Sequence, residues 1–152
     1  MLTRRELALI ALTAFSTATI VALAQPAKPV MGSSIFEWSA ISVQTTKTGE
    51  RRQFFDAPTA TLDRLQCHVT TLKKGETAHA PHQHPDEELI IVKEGTLETL
   101  LNGEWKRVGP GSVLFHASNV LHGVRNAGDG PASYHVLRWT SPGPKDVKPA
   151  AN

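Results

Sequence analysis

Between His79 and Glu88 the chain crowds three histidines and three acids into ten residues, HAPHQHPDEE, and the apolar run LIIV follows at once. Imidazole nitrogens and carboxylate oxygens are the donor set that suits divalent transition metals. An ionised carboxylate buried among imidazoles is costly unless something positive compensates it, and a divalent ion would do that for the whole cluster. In an extended chain, residues of equal parity point to one side. His82, His84 and Glu88 share parity with Ile90 and Val92, so a strand that turns the two aliphatics inward carries Glu88 to the same interior. Pro85 interrupts regular pairing just before it. Successive same-side Cα atoms lie about 6.5–7 Å apart, close enough for two imidazoles to converge on one ion. The competing reading is a polar surface loop. A further segment, GSVLFHASNVLHGVRN, supplies His122 and, after three residues, Asn126.

Together the two segments resemble the cupin superfamily. The first cupin motif is met by Gly75, His82-Gln83-His84, Glu88 and Gly95, with every spacing from His82 onward as in the family. Only the interval from Gly75 to His82 is one residue longer. The second motif is met by Gly111, His122 and Asn126; Ala117 stands where proline is usual and Asn119 where glycine is usual. The second exchange is mild, because Asn tolerates the left-handed backbone. The resemblance implies a double-stranded β-helix, the cupin jelly roll, holding one divalent transition metal on His82, His84, Glu88 and His122. Manganese or iron comes first, with nickel, copper or zinc also suited to such donors. Four protein ligands leave about two positions on a six-coordinate ion for substrate, O₂ or water. Gly95 and Gly111 become turn glycines and Asn126 a supporting amide.

The elements that must position these residues read as strands. Apolar–polar alternation recurs over Ile35–Val43, Arg51–Phe55, Leu62–Leu72, Glu88–Lys93, Thr96–Leu101, Glu104–Val108, Ser112–Phe115, Gly123–Asn126 and Ser133–Trp139, with no helical period between. Lys74-Gly75, Asn102-Gly103, Gly109-Pro110-Gly111 and Gly128-Asp129-Gly130 separate them. Asn-Gly is the strongest of these signals, since a two-residue hairpin turn needs positive φ at both positions. Many short strands at this spacing predict an all-β fold, a small antiparallel barrel or sandwich.

The first residues read as an address. Arg4-Arg5, the apolar run Leu7 to Ala24 and the small-residue pattern Ala22-Leu23-Ala24 give a bacterial export signal over 1–24, cut before Gln25. Thr3-Arg4-Arg5-Glu6-Leu7 also resembles the twin-arginine pattern, without its usual lysine. The alternative is a retained anchor, which the Ala, Thr and Ser content makes weakly apolar. A periplasmic or secreted location follows. Residues 25–33 read as an arm, 34–140 as one barrel domain and 141–152 as a tail. The whole chain carries 16 basic and 14 acidic residues; losing Arg4, Arg5 and Glu6 leaves 14 and 13. That near balance, without a basic cluster, argues against nucleic acid or an anionic membrane surface as partner. Cys67, the only cysteine, allows no intrachain disulfide and reads as a small core residue.

Fold and metal together do not fix a reaction. The first expectation is an enzyme acting on a small polar organic molecule, dioxygenase-type before isomerase or lyase. A sugar or keto-acid isomerase and a non-catalytic metal- or ligand-binding module are the alternatives. Apolar residues on both faces of ELIIVK and SYHVLRW predict a homodimer. His116 is the best candidate for an extra polar group near the pocket, and His79 reads as a loop residue or a gate. Asp86 and Glu87 read as a solvated rim, and Arg125 as pointing away from the metal. Tyr134 and Arg138 share a face whose direction stays open. Trp38, Trp105 and Trp139 read as core or interface aromatics.

Overall fold

Alternating sequence folds as alternating strands. The computed structural model describes residues 29–143; the expected export segment 1–24, and the tail from 144 onward, lie outside them. Nine strands follow in chain order: β1 Gln44–Thr46, β2 Gly49–Ala57, β3 Arg64–Leu72, β4 Glu87–Glu94, β5 Leu97–Leu101, β6 Glu104–Val108, β7 Val113–His116, β8 Val124–Asn126 and β9 Ala132–Thr140. Among the described residues the only helical element is a 3₁₀ turn at Trp38–Ala40, and no helix is long and apolar enough to cross a membrane.

Six strands form one antiparallel sheet in the order β1-β2-β3-β9-β4-β7, and three form a second, β6-β5-β8. β3 and β9 are the spine of the large sheet. Rich in β-branched and aromatic residues, they pair over nine positions from Arg64↔Thr140 to Leu72↔Ala132. The faces that meet between the sheets bury Leu72, Ile90, Val92, Leu97, Val124, Ala132, Tyr134 and Val136 in one cluster. Each large aliphatic there contributes about 1.5–3 kcal/mol by leaving water. This is the small all-β jelly roll that the sequence predicts.

Turn chemistry falls where it was read. Asn102 and Gly103 close the β5–β6 hairpin with φ of 51° and 82°. Asn119 takes φ 59° at the position where glycine is usual. Gly95 joins β4 to β5 at φ 79°, and a Cβ there would meet the Ala132 Cβ at 2.6 Å.

Two readings need correction, and a third narrows. Ile35–Val43 is not a strand: it is an arm laid on the outer face of the large sheet. Phe36 packs on Phe55 and Trp38 on Phe54, with ring centroids 5.0 and 6.1 Å apart. The alternation is real but serves aromatic contacts rather than a hydrogen-bonded ladder. Cys67 is only half-buried and faces outward opposite Phe55 and Leu137, because the inward parity of β3 belongs to His68, Thr70 and Leu72. None of the tryptophans enters the core cluster. Trp38 lies under Arg52 and Lys93, and Trp105 under Arg125, in cation–π contacts. Trp139 stacks on Phe115.

Candidate metal centre and its cavity

β4 sends Glu88 inward in line with the buried Ile90 and Val92. Across the sheet Glu88 pairs with Arg138 on β9 and His116 on β7, and Arg138 pairs in turn with Gln66 on β3. One row of inward side chains therefore reads Gln66, Arg138, Glu88, His116. The two motif loops meet through backbone. His82 and His122 form an antiparallel bridge, each N–H donating to the other's carbonyl at 2.9 and 3.0 Å. The Asn119 N–H donates to the His84 carbonyl at 2.8 Å, holding the first loop against the second.

Three of the expected residues, His82, His84 and His122, converge, and Glu88 borders two of them and groups as closely with His116 and His122. One ring nitrogen each of His82, His84 and His122 lie within 4.8 Å of one another. Glu88 oxygens stand 3.6 Å from His84 Nε2 and 3.7 Å from His122 Nε2. Donors about 2 Å from a shared ion are separated by about 3–4 Å, the spacing at which Glu88 stands from His84 and His122. The tautomers, inferred from hydrogen bonds, agree. His122 Nδ1 donates to the Val120 carbonyl at 2.8 Å and His84 Nδ1 to the Asp86 carbonyl at 3.0 Å. Both Nε2 atoms keep their lone pairs, and both are buried without a hydrogen-bond partner, as is His82 Nδ1. Buried polar groups are rarely left so.

Burial pushes His122 down to about 4 and lowers His82 as well. For Glu88, burial acts upward, but the His116 hydrogen bond and positive imidazole neighbours outweigh it and hold the carboxyl at about 2. At neutral pH His122 carries no proton to compensate the carboxylate. Its Nε2 is buried without a hydrogen-bond partner, which favours the neutral ring. Above about pH 4 the carboxylate therefore depends on Arg138, whose Nε lies 3.8 Å away, or on a cation.

His116 is buried beside the cluster. Its Nδ1 lies 3.3 Å from Glu88 Oε1, its Nε2 lies 3.1 Å from Thr99 Oγ1, and its ring stacks on His122. With Glu88 ionised, Nδ1–H donates to the carboxylate and the Thr99 hydroxyl donates to Nε2. In that tautomer His116 orients the carboxylate and has no lone pair for a metal.

Asp86 corrects another reading: it is not on a solvated rim. It is buried, and its carboxylate takes Arg138 Nη2 at 2.5 Å and Arg64 Nη1 at 3.3 Å, while Arg64 also forks onto Asp56. The sequence hides this because both cationic partners come from distant strands. His79 is exposed, yet its ring stands 4.2 Å from that of His82 at the cavity mouth. Arg125 points away as expected, held by Glu98. Asn126 is structural: its amide donates to the carbonyls of Leu72, Lys73 and Gly130.

Beside the cluster opens a cavity of about 180 Å³, walled by Glu88, His122, Arg51, His68, Tyr134 and Arg138 among others. The face that was left open on β9, Tyr134 and Arg138, looks inward. Burial raises the Tyr134 phenol above its ordinary range, against a hydrogen bond from Thr70. Arg51 and His68 escaped the sequence reading. His68 Nδ1 is buried with no partner, and burial, with Arg51 nearby, pushes the imidazole down to about 4. The parity of Leu72 along β3 was the one signal that could have placed His68 inside; nothing pointed to Arg51.

Residues 68–138 match the cupin domain family Cupin_2. Among solved structures, an RmlC-like cupin from Shewanella frigidimarina is similar with a TM-score of 0.59 at 18% identity, covering 72% of this chain and 94% of its own. The polyketide cyclase RemF from Streptomyces resistomycificus gives 0.58 at 21%, over 74% and 83%. A sugar phosphate isomerase of the cupin superfamily from Silicibacter pomeroyi gives 0.56 at 16%, over 72% and 77%. At these identities the likeness is one of fold, and a cyclase and an isomerase on that fold place chemistry in the site rather than the scaffold. No curated protein matches the chain significantly. A family match running from within β3 to within β9, on the same fold as these solved cupins, gives the chain a cupin domain over residues 68–138.

Proposed function

We propose that this chain is an exported mononuclear-metal enzyme acting on a small polar organic molecule, with His82, His84, Glu88 and His122 as the ligands of one divalent transition metal. The observation that carries the reading is the set of buried imidazole nitrogens without partners, two of them facing the Glu88 carboxylate. Manganese or iron would supply Lewis acidity and open positions for substrate and O₂. The protein's own part is visible in its side chains. His116 and Arg138 steady Glu88, the core cluster and Tyr134 keep the inner end dry, and His68 offers a neutral imidazole to the cavity.

Dioxygenase-type oxidation is the first reading of the reaction. An isomerase is the second, favoured by His68, whose free nitrogen can take or return a proton beside the cluster. The export signal over 1–24 supports a periplasmic or secreted location. A homodimer belongs to the same proposal: Ile91, Val113 and Phe115 stand 38, 60 and 52% exposed on the outer face of β4 and β7, an apolar patch that pairing would cover. The test is metal analysis of protein purified from its native compartment, with O₂ uptake and solvent-deuterium incorporation measured on phenols, hydroxy acids and sugars. One equivalent of metal with substrate-dependent O₂ uptake supports the first reading, and deuterium incorporation without O₂ uptake the second. Metal content unchanged after His82→Ala and His122→Ala would refute the site.

A further inference from the structure

The cavity wall opposite the metal cluster carries a charge pattern that the cluster does not explain. Arg51 and Thr70 pair across β2–β3 and Thr70 pairs with Tyr134 on β9, so these three form an inward row separated from the row of Arg138 and Glu88 by His68, Val136 and Ile90. Arg51 and Arg138 both line the cavity. Each is held in place. Arg51 Nη2 donates to Gln53 Oε1 at 2.6 Å, and Gln53 is itself pinned by its amide to the Phe55 and Cys67 carbonyls. Arg138 is anchored on Asp86, which leaves its Nε buried and without a hydrogen-bond partner.

The two guanidiniums are not equally compensated. Arg64 pairs with Asp56 and Asp86, and Arg138 with Asp86 and, through its Nε at 3.8 Å, with Glu88. Arg51 makes no ion pair among the described residues. Glu50 also lines the cavity but is exposed and not within ion-pair distance of it. Burial and the nearby Arg138 charge both act to lower Arg51, with Asp56 acting the other way. A half-buried cation facing a second cation is an unfavourable arrangement unless an anion joins them. Arginine suits that task, since its planar fork binds a carboxylate through two parallel hydrogen bonds.

We infer that Arg51 and Arg138 form a carboxylate clamp, and that the molecule bound beside the metal cluster is a small organic acid whose neighbouring hydroxyl or carbonyl oxygen faces His122 and Glu88. The inference rests on the metal reading for the second half of that statement and on the arginine pair alone for the first. A cavity of about 180 Å³ has room for a small organic acid. Arg51, the one of these three guanidiniums without an ion pair among the described residues, selects one carboxylate rather than a multiply charged phosphate. His68, neutral and with a free nitrogen, lies within the same cavity and gives the acid's reacting carbon a proton acceptor without adding charge.

The experiment compares lactate with lactamide, and pyruvate with pyruvamide, molecules matched in size and differing in charge. Binding is measured by titration calorimetry on the full chain in zinc-loaded and chelator-treated forms, with zinc content determined on the same samples. Each acid is expected to bind at least tenfold tighter than its amide in both forms, with the gap shrinking as salt rises. Arg51→Gln is expected to remove that preference while leaving zinc content at the wild-type value, and Arg51→Lys to keep part of it. Equal affinity of acid and amide, including no binding of either, overturns the clamp, as does an Arg51→Gln variant that keeps full preference. Inorganic phosphate binding as tightly as the acids overturns the choice of carboxylate. A chain that takes up no zinc refutes the metal reading instead, and the chelator-treated titrations still decide the clamp.

Discussion

Acid should weaken the metal-free protein in a window set by two buried histidines. His68 and His122 are both pushed by burial from 6.5 to about 4. A depressed histidine means that the fold prefers the neutral ring, so its stabilisation is complete above about pH 6.5 and is lost as pH falls toward 4. At pH 5 the unfolded chain has protonated each ring while the fold has not. One such group then lowers stability by about 2 kcal/mol relative to pH 7.5, and the pair by about 4. Against a typical total of about 5–15 kcal/mol, that is a large fraction. The perturbation is His68→Gln, which removes one titrating group and keeps a polar side chain in the cavity. Urea unfolding of chelator-treated protein at pH 7.5 and 5 reads the difference. With a slope of about 1–3 kcal/mol/M, the wild-type midpoint should fall by about 2 M and the variant's by about half as much. Only the change between the two pH values counts, so any constant effect of the substitution cancels. A zinc-loaded sample should lose more over the same interval, because protons must also displace the ion. Equal midpoints at the two pH values, or equal falls in wild type and His68→Gln, would refute neutral burial of these rings.

Gly95→Ala should prevent folding or cost more than about 3 kcal/mol by urea unfolding, because its φ is +79° and the new Cβ would lie 2.6–2.7 Å from Ala132 and the Pro131 carbonyl; Gly75→Ala, at φ +74° but with open space around it, should cost only about 1 kcal/mol. Phe115→Glu together with Val113→Glu should convert a dimer to a monomer in light scattering at micromolar concentration, and a wild-type monomer would already refute the interface. Replacing Arg4 and Arg5 with lysines should change the metal found in the exported protein from manganese or iron toward copper or zinc, since a chain folding outside the cytoplasm takes the tightest binder; the same metal in both by elemental analysis would refute selection by folding compartment.

How much of this was legible depends on how far apart in the chain each contact lies. The β5–β6 hairpin was readable to the residue because its signal is local: Asn102 and Gly103 announce the turn, and the flanking alternation fixes Glu104–Val108. The site's spacing was readable for the same reason, since Glu88 follows His84 within one loop and strand. The arm over Ile35–Val43 was misread because alternation reports which side chains are apolar, not whether the backbone finds a ladder. Arg138 and His116 flank Glu88 only because β9 and β7 pair with β4 in one particular register, and register over some 30–50 intervening residues leaves no mark in a single sequence. Asp86 was misjudged by the same blindness. Its local composition is that of a polar loop, and its burial follows from Arg64 and Arg138 arriving from β3 and β9.

The row Gln66, Arg138, Glu88, His116 also explains how a jelly roll tolerates so polar an interior. Its neighbour along the strands, His68, Val136, Ile90 and Leu114, is mostly apolar, and the next leads from Thr70 through Tyr134 to Val92. Polar groups thus enter the core as stripes across the sheet, each flanked by a stripe that excludes water. Within a stripe, partners lie on adjacent strands at cross-strand distance, so an ionised group finds its counter-group without distorting the ladder. Where the stripes run out, at the loops carrying His82, His84 and His122, no side chain is left to satisfy the imidazole nitrogens. The unmet imidazole nitrogens of His82, His84 and His122 lie on the two loops, beyond the ends of β4, β7 and β8, while those of His68 and Arg138 face the cavity from β3 and β9.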